Sequence, residues 1–483
     1  MSGRFTKHAR CIIGTLAGVT LFIYCFYADA AASLGEVGRS LNIDKTQLSV
    51  SGISSGGFMA HQFHVAHSSN VMGAGIVAGG PYYCAEGSIA DAVTKCSKFM
   101  AIECNTPMTG LSASFTDFCN NPYTGPRTDE QSIGVAQQSF APAASWSNQG
   151  RINPVAGLSR ARVYLFSALN DEIVPFDVMN AVYHFYADND KANLNPDNIT
   201  LNRQFPARHT MVTDNYYSAS PHYVGMCNIE RTVVDDPYIG DCKRQALVIK
   251  EANGCDCAEA SSQACPVSAA AQGECHTCQS ACGVDLAGAI LMKIYPDVQS
   301  TSRESLLSAR EAAKAQGSGT RLSAALSSKL VTFSQSKLIE RKFGAKDAGT
   351  WASFADNGYL YVPEACQSGA PCRLHVAFHG CKQGGDNDPP FGNIFARFAG
   401  YNEWAKNNRI VVLYPQVQAE NYWPVNPQGC WDWWGFLYTG DDYAKLSGKQ
   451  IMAVAQMINT LVRADLLEVP TEHARQPSTR LRK

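Results

Sequence analysis

Net charge is nearly absent from this 483-residue chain, in which 40 lysines and arginines stand against 42 aspartates and glutamates. No basic block occurs apart from a short "RLRK" at the C-terminal end, so composition gives no electrostatic footprint for nucleic acid or an anionic surface. Internal repeats are missing as well, which argues against a solenoid or array. No Pro/Ser/Gly-rich linker divides the chain, although its length would allow two domains, and one large domain over residues 31–470 is expected. Long apolar runs are lacking with one exception, Cys11 to Tyr27, which follows Lys7 and Arg10 and ends at Ala28-Asp29-Ala30. A basic start, a short apolar stretch and a small-residue site form the layout of a signal peptide. The run is barely long enough to span a bilayer, so residues 1–30 are read as a cleaved signal that leaves no stable membrane anchor.

Cysteine, by contrast, is plentiful. Of eighteen cysteines, Cys11 and Cys25 lie in the signal segment and sixteen remain, an even number in a chain bound for an oxidising compartment, where disulfides are expected. Many of them crowd into "GCDCAEASSQACPVSAAAQGECHTCQSACG", a stretch with little to bury, which is read as an insertion over residues 243–281. The C-x-C and C-x-x-C spacings beside His276 suggest zinc in other contexts, but secretion favours disulfides, and no metal is expected. The tail, residues 471–483, is too polar and charged to fold and is expected to be disordered.

The rest alternates between strand-like and helix-like stretches, the pattern of an α/β fold. "TQLSVSGI" is β-rich, "GGFMAHQFHVAHS" is helical and apolar, and "GAGIVAGGPYYC" and "ARVYLFSALNDEIVP" contain apolar strands. "DLAGAILMKIYP" reads as a packed helix, "CRLHVAFHGCKQGGDN" as a strand entering a glycine-bearing loop, "FARFAGYNEWAKNN" as a helix, and "RIVVLYPQV" as a strand. At the first strand-to-helix junction, Gly52-Ile53-Ser54-Ser55-Gly56 fits G-x-S-x-G. In this nucleophile elbow a sharp turn holds a serine oxygen out at its tip. Ser54 has glycine at both spacings that relieve crowding, whereas Ser55 would place Ile53 where a small residue is needed.

A serine hydroxyl becomes a useful nucleophile when a histidine takes its proton and a carboxylate orients that histidine. The order Ser, acid, His of α/β-hydrolases points to Asp171, just past a strand, with Glu172 as its neighbouring alternative. His209 follows in the polar, turn-rich "FPARHTMVTDNY", with His222 as the second choice of base. His61, His64 and His67 recur at spacing three without a nearby carboxylate and read as an ordinary helix face, and His184 reads as packed. The tetrahedral oxyanion needs two backbone N–H donors. One is Ser55, after the nucleophile. The other fits Cys381 in "FHGC", after the strand "RLHVAF". In the usual order that strand precedes the elbow, but here it follows about 325 residues later. The early elbow and the late "HGC" together imply a circularly permuted α/β-hydrolase, a mostly parallel central sheet flanked by helices with a Cys-rich insertion. Permutation is tolerated where the original termini lie close together.

In their order along the chain, "GISSGG", Asp171, "HTMVTDN", "CGVDLAGAILMKIY", "HVAFHGCKQ" and "NPQGCWDWW" resemble the permuted poly(3-hydroxybutyrate) depolymerases and related esterases. The resemblance implies a secreted serine esterase with a Ser54-Asp171-His209 triad and an oxyanion hole from the N–H groups of Ser55 and Cys381. It also implies a tryptophan, Trp431 or Trp433, along a polyester or oligoester chain. No cofactor is implied. "HGC" and "GCW" should converge on the site, so a Cys381–Cys430 disulfide is expected, with local pairing of Cys381 to Cys372 as the alternative. Feruloyl or acetylxylan esters are the second substrate class for such machinery. A non-catalytic ligand-binding protein on the same scaffold is the reading from a different class.

Overall fold

The structure is a computed structural model that describes residues 9–12, 24–27, 31–98, 123–169, 171–189, 194–203, 209–213, 239–241, 285–299, 330–384, 393–422, 424–437 and 440–470. Most of the expected signal segment, the Cys-rich insertion, His222 and the tail lie outside the described residues. No helix among the described residues is long and apolar enough to cross a membrane.

Eight strands build the central sheet: β1 (Asn42–Ile53), β2 (Val71–Val77), β3 (Arg162–Phe166), β4 (Ile199–Asn202), β5 (Leu330–Ser334), β6 (Asn357–Tyr361), β7 (Pro371–Phe378) and β8 (Ile410–Tyr414). Their spatial order is β4-β3-β2-β1-β7-β8-β6-β5. The six strands from β4 to β8 run parallel, and β6 runs antiparallel to both its neighbours. Parallel strands buried on both faces read as continuous apolar runs, as in "IVVLY" of β8, where all five residues are buried. β1 thus sits mid-sheet, with early strands on one side and the late strands β5 to β8 on the other. An open sheet of this kind places the C-terminal ends of its parallel strands along one edge, where loops converge.

The helix α1 (Ser55–Ala66) leaves the elbow and is buried at every position. His61, His64 and His67 are therefore not on an ordinary helix face; each is 0 % exposed. Burial disfavours the imidazolium and lowers their pKa values to about 4, 3 and 3, with His61 further depressing His64. His61 Nδ1 lies 3.0 Å from the Gly80 carbonyl and His64 Nδ1 lies 2.8 Å from the Tyr186 hydroxyl. His184 is packed, at 8 % exposure, and meets Asp129 and Asp188.

Two further expectations need correction. "FARFAGYNEWAKNN" forms two helices, because Gly400 takes φ 95° between Ile394–Phe398 and Tyr401–Asn408, a left-handed conformation that ends a helix. Trp431 belongs to the core: it is fully buried and packs edge-on against Phe354 and Phe378, so it has no face to offer a polymer.

Candidate active site

Ser54 stands between β1 and α1 with φ 57° and ψ −126°, a conformation that non-glycine residues avoid unless neighbours enforce it. The flanking glycines explain how it is enforced. A Cβ on Gly52 would lie 2.1 Å from the Gly56 carbonyl oxygen, and one on Gly56 would lie 2.4 Å from the carbonyl oxygens of Phe378 and His379. The chain can therefore fold back on itself, and β7 can close onto the elbow, only without side chains there. Ser54 N–H donates to the Val77 carbonyl at 3.0 Å, which ties the turn to β2.

Asp171 follows β3 by five residues, and His209 follows β4, so both leave the same edge of the sheet as Ser54. His209 Nδ1 lies 2.9 Å from Asp171 Oδ2 and 3.1 Å from Oδ1, and the two side chains are 5 % and 1 % exposed. The carboxylate is itself held: Oδ1 accepts from the N–H groups of Ile173 and Val174, each at 2.9 Å. Glu172 points to solvent instead. With Nδ1–H donating to the carboxylate, Nε2 is the basic nitrogen of the neutral ring, and an imidazolium formed there is stabilised by the adjacent charge. That arrangement can take a proton from a hydroxyl and return it to a leaving group.

The loop after β7 meets the elbow from the other side. A Cβ on Gly380 would lie 3.3 Å from Ser54 Cβ. Gly380 N–H donates to Gln383 Oε1 at 2.7 Å, and Lys382 N–H donates to the Gln428 carbonyl at 2.6 Å. Cys381 is bonded to Cys430, with Cα atoms 4.2 Å apart, whereas Cys372 is bonded to Cys366 and Cys84 to Cys96. Ser55 is the first residue of α1, so its N–H has no partner within the helix.

Trp433 stacks on Phe58 of α1, with centroids 3.9 Å apart and planes at 16°, and is 8 % exposed. The same loop contains a residue that sequence reasoning missed. Asp432 is buried and accepts from the N–H groups of Gly435, Phe436 and Leu437. Burial raises its pKa to about 7 against the pull of those donors. An aspartate three residues before a glycine is the turn signal that could have revealed it. Gln383, in the quoted "HGCKQ", was likewise given no role.

No family model matches the chain. A poly(3-hydroxybutyrate) depolymerase of Delftia acidovorans is 33 % identical over 449 residues, which cover 91 % of this chain and 66 % of that protein. The chain thus spans about two thirds of that relative's length. A polyhydroxybutyrate depolymerase of Talaromyces funiculosus is 28 % identical over 434 residues, covering 88 % of this chain and 91 % of the relative. Among solved structures, a serine-to-alanine variant of a PHB depolymerase complexed with an R3HB trimer aligns with TM-score 0.56 and 26 % identity, covering 88 % of this chain and 98 % of that one. The PHB depolymerase of Penicillium funiculosum aligns with TM-score 0.54 and 26 % identity, covering 88 % and 97 % respectively. This chain belongs to the poly(3-hydroxybutyrate) depolymerase-type family of α/β-hydrolases.

Proposed function

We propose that the chain is a secreted serine esterase that hydrolyses ester bonds of poly- or oligo(3-hydroxybutyrate). The observation that carries this reading is the buried Asp171–His209 pair, set at the sheet edge where Ser54 occupies a strained elbow. Ser54 is the nucleophile. His209 takes its proton, the Ser54 oxygen adds to the ester carbonyl, and the oxyanion is received by the N–H groups of Ser55 and Cys381. His209 then returns the proton to the departing hydroxyl, which leaves an acyl-Ser54 ester, and water repeats the sequence to release the acid. Trp433, beside the elbow helix, is the remaining candidate for contact with the polyester.

The position of β7 next to β1, although it comes late in the chain, is what a circular permutation produces. Three disulfides among the described residues favour an oxidising compartment and hence secretion. The substrate class rests on the depolymerase relatives, one structural neighbour being complexed with an R3HB trimer.

The test is to incubate purified protein with amorphous poly(3-hydroxybutyrate), and separately with feruloyl and acetylxylan esters, and to identify the soluble products. Release of 3-hydroxybutyrate or its short oligomers, abolished in Ser54→Ala, is expected. Turnover confined to the plant-wall esters would move the substrate to that class. Absence of both, with no fluorophosphonate adduct on Ser54, would favour a binding protein.

A further inference from the structure

His379 is 0 % exposed and lies one residue before Gly380. Its two ring nitrogens have different partners. Val417 N–H donates to Nε2 at 3.1 Å, and Nδ1 lies 2.7 Å from the Gly380 carbonyl oxygen. Since Nε2 is an acceptor, the proton of the neutral ring sits on Nδ1, and Nδ1–H donates to Gly380 O. Burial lowers the His379 pKa to about 4, so this neutral form persists around pH 7. The ring is also fixed by packing, with the Trp431 centroid 5.5 Å away and that of Phe395 6.4 Å away.

The Gly380 carbonyl belongs to the peptide whose N–H is that of Cys381. In a trans peptide C=O and N–H point in opposite directions, so holding the oxygen toward the imidazole turns the Cys381 N–H away from it. We propose that His379 is a positioning residue, whose Nδ1–H fixes the Gly380–Cys381 peptide so that the Cys381 N–H faces the space over Ser54. This rests on the esterase reading above and adds to it a side chain that touches neither substrate nor nucleophile. It also gives the fully buried Trp431 a role as packing for the ring that aims the donor.

The experiment compares His379→Phe with His379→Asn on p-nitrophenyl butyrate. Both variants forfeit the Val417 bond, because neither side chain offers an acceptor at the Nε2 position. Only asparagine keeps a donor near Nδ1, so the difference between them isolates the bond to Gly380. Loss of one oxyanion donor lowers kcat by about 10²- to 10³-fold. The Phe variant should lose kcat on the order of 10²-fold with KM within about 2-fold, and Asn should recover kcat to within about 10-fold of wild type. Affinity for an alkylboronic acid, whose tetrahedral adduct fills the oxyanion position, should fall in step with kcat. Unchanged kcat in the Phe variant, or equal losses in both variants, overturns the proposal. If the Phe variant does not fold, the ring ¹³C and ¹⁵N shifts of His379 in the wild type decide. A neutral Nδ1–H tautomer at pH 7 supports the proposal, and an Nε2–H tautomer or an imidazolium overturns it. Wild-type hydrolysis that disappears in Ser54→Ala, alongside an active His379→Phe, removes this proposal alone. A wild type without any esterase activity removes the underlying reading and this proposal together.

Discussion

A serine held at φ 57° stores strain of about 1–3 kcal/mol, and such strain persists where the surrounding structure over-determines it. Around Ser54 the surroundings do so through backbone atoms: the Gly52 and Gly56 contacts and the bond to Val77 leave the turn no slack. Stability and activity should therefore separate at this residue. Ser54→Gly relieves the strain and Ser54→Ala does not, so thermal unfolding should find the glycine variant more stable by about 1 kcal/mol, with ester hydrolysis lost in both. Ser55→Ala should retain much of the activity, since its proposed contribution is a backbone N–H. Equal loss at Ser54 and Ser55 would overturn Ser54 as the nucleophile, and a glycine variant less stable than the alanine one would show that the elbow is not strained as described. Which of the two serines occupies the tip of the elbow was legible in the sequence, because glycine spacing reports crowding directly. How Trp431 and Trp433 differ in burial was not. Two residues apart in one loop, they differ in which neighbours close over them, and Trp431 meets Phe354, Phe378 and His379, all distant in the chain.

Among the elements, α1 and β7 contain an unusual load of buried imidazole. His61 and His64 on α1, His67 just past its end, His375 on β7 and His379 just after it are all fully buried, and burial lowers their pKa values to about 3 or 4. Well above the unfolded value of about 6.5 such rings are neutral in folded and unfolded chains alike and add no pH dependence. As pH falls from there, the unfolded chain takes up protons that the folded rings refuse, so stability falls, and the loss ends only below the folded values. Urea midpoints measured between about pH 7 and pH 4.5 should decline steeply, with a slope equivalent to several and at most about five protons from these rings. His67, whose ring nitrogens make no hydrogen bond among the described residues, allows a clean control: His67→Phe should lower the slope by about one proton. A flat profile, or a slope indifferent to that change, would contradict the burial of α1. Its helical nature was readable from "GGFMAHQFHVAHS", but its burial on every side was not. A window of sequence gives the period of one helix and says nothing of the strands and helices that cover its polar positions.

Across the whole molecule, the proposed site joins parts of the chain that sequence order keeps apart, since β1 carries Ser54 and its neighbour β7 carries the Cys381 loop. The apolar strands and the α/β alternation could be read locally. The order of the sheet could not be read that way, because β1 and β7 find each other by register rather than proximity in sequence, and only the displaced "HGC" motif hinted at it. The Cys381–Cys430 bond supplies a covalent tie at this junction. Replacing both cysteines with alanine should cost about 2–4 kcal/mol in urea unfolding and lower kcat more than it raises KM. Unaltered kcat would mean that the His379, Gln383 and Lys382 hydrogen bonds suffice to hold the loop. The account as a whole turns on a covalent intermediate at one atom. The most direct test is to mix the protein with a 3-hydroxybutyrate trimer, quench in acid within milliseconds, and map the digested peptides by mass. The account predicts a 3-hydroxybutyryl ester on the peptide containing Ser54, absent in Ser54→Ala. Hydrolysis of the trimer that continues in Ser54→Ala, or an acyl group found on any other residue, would contradict it.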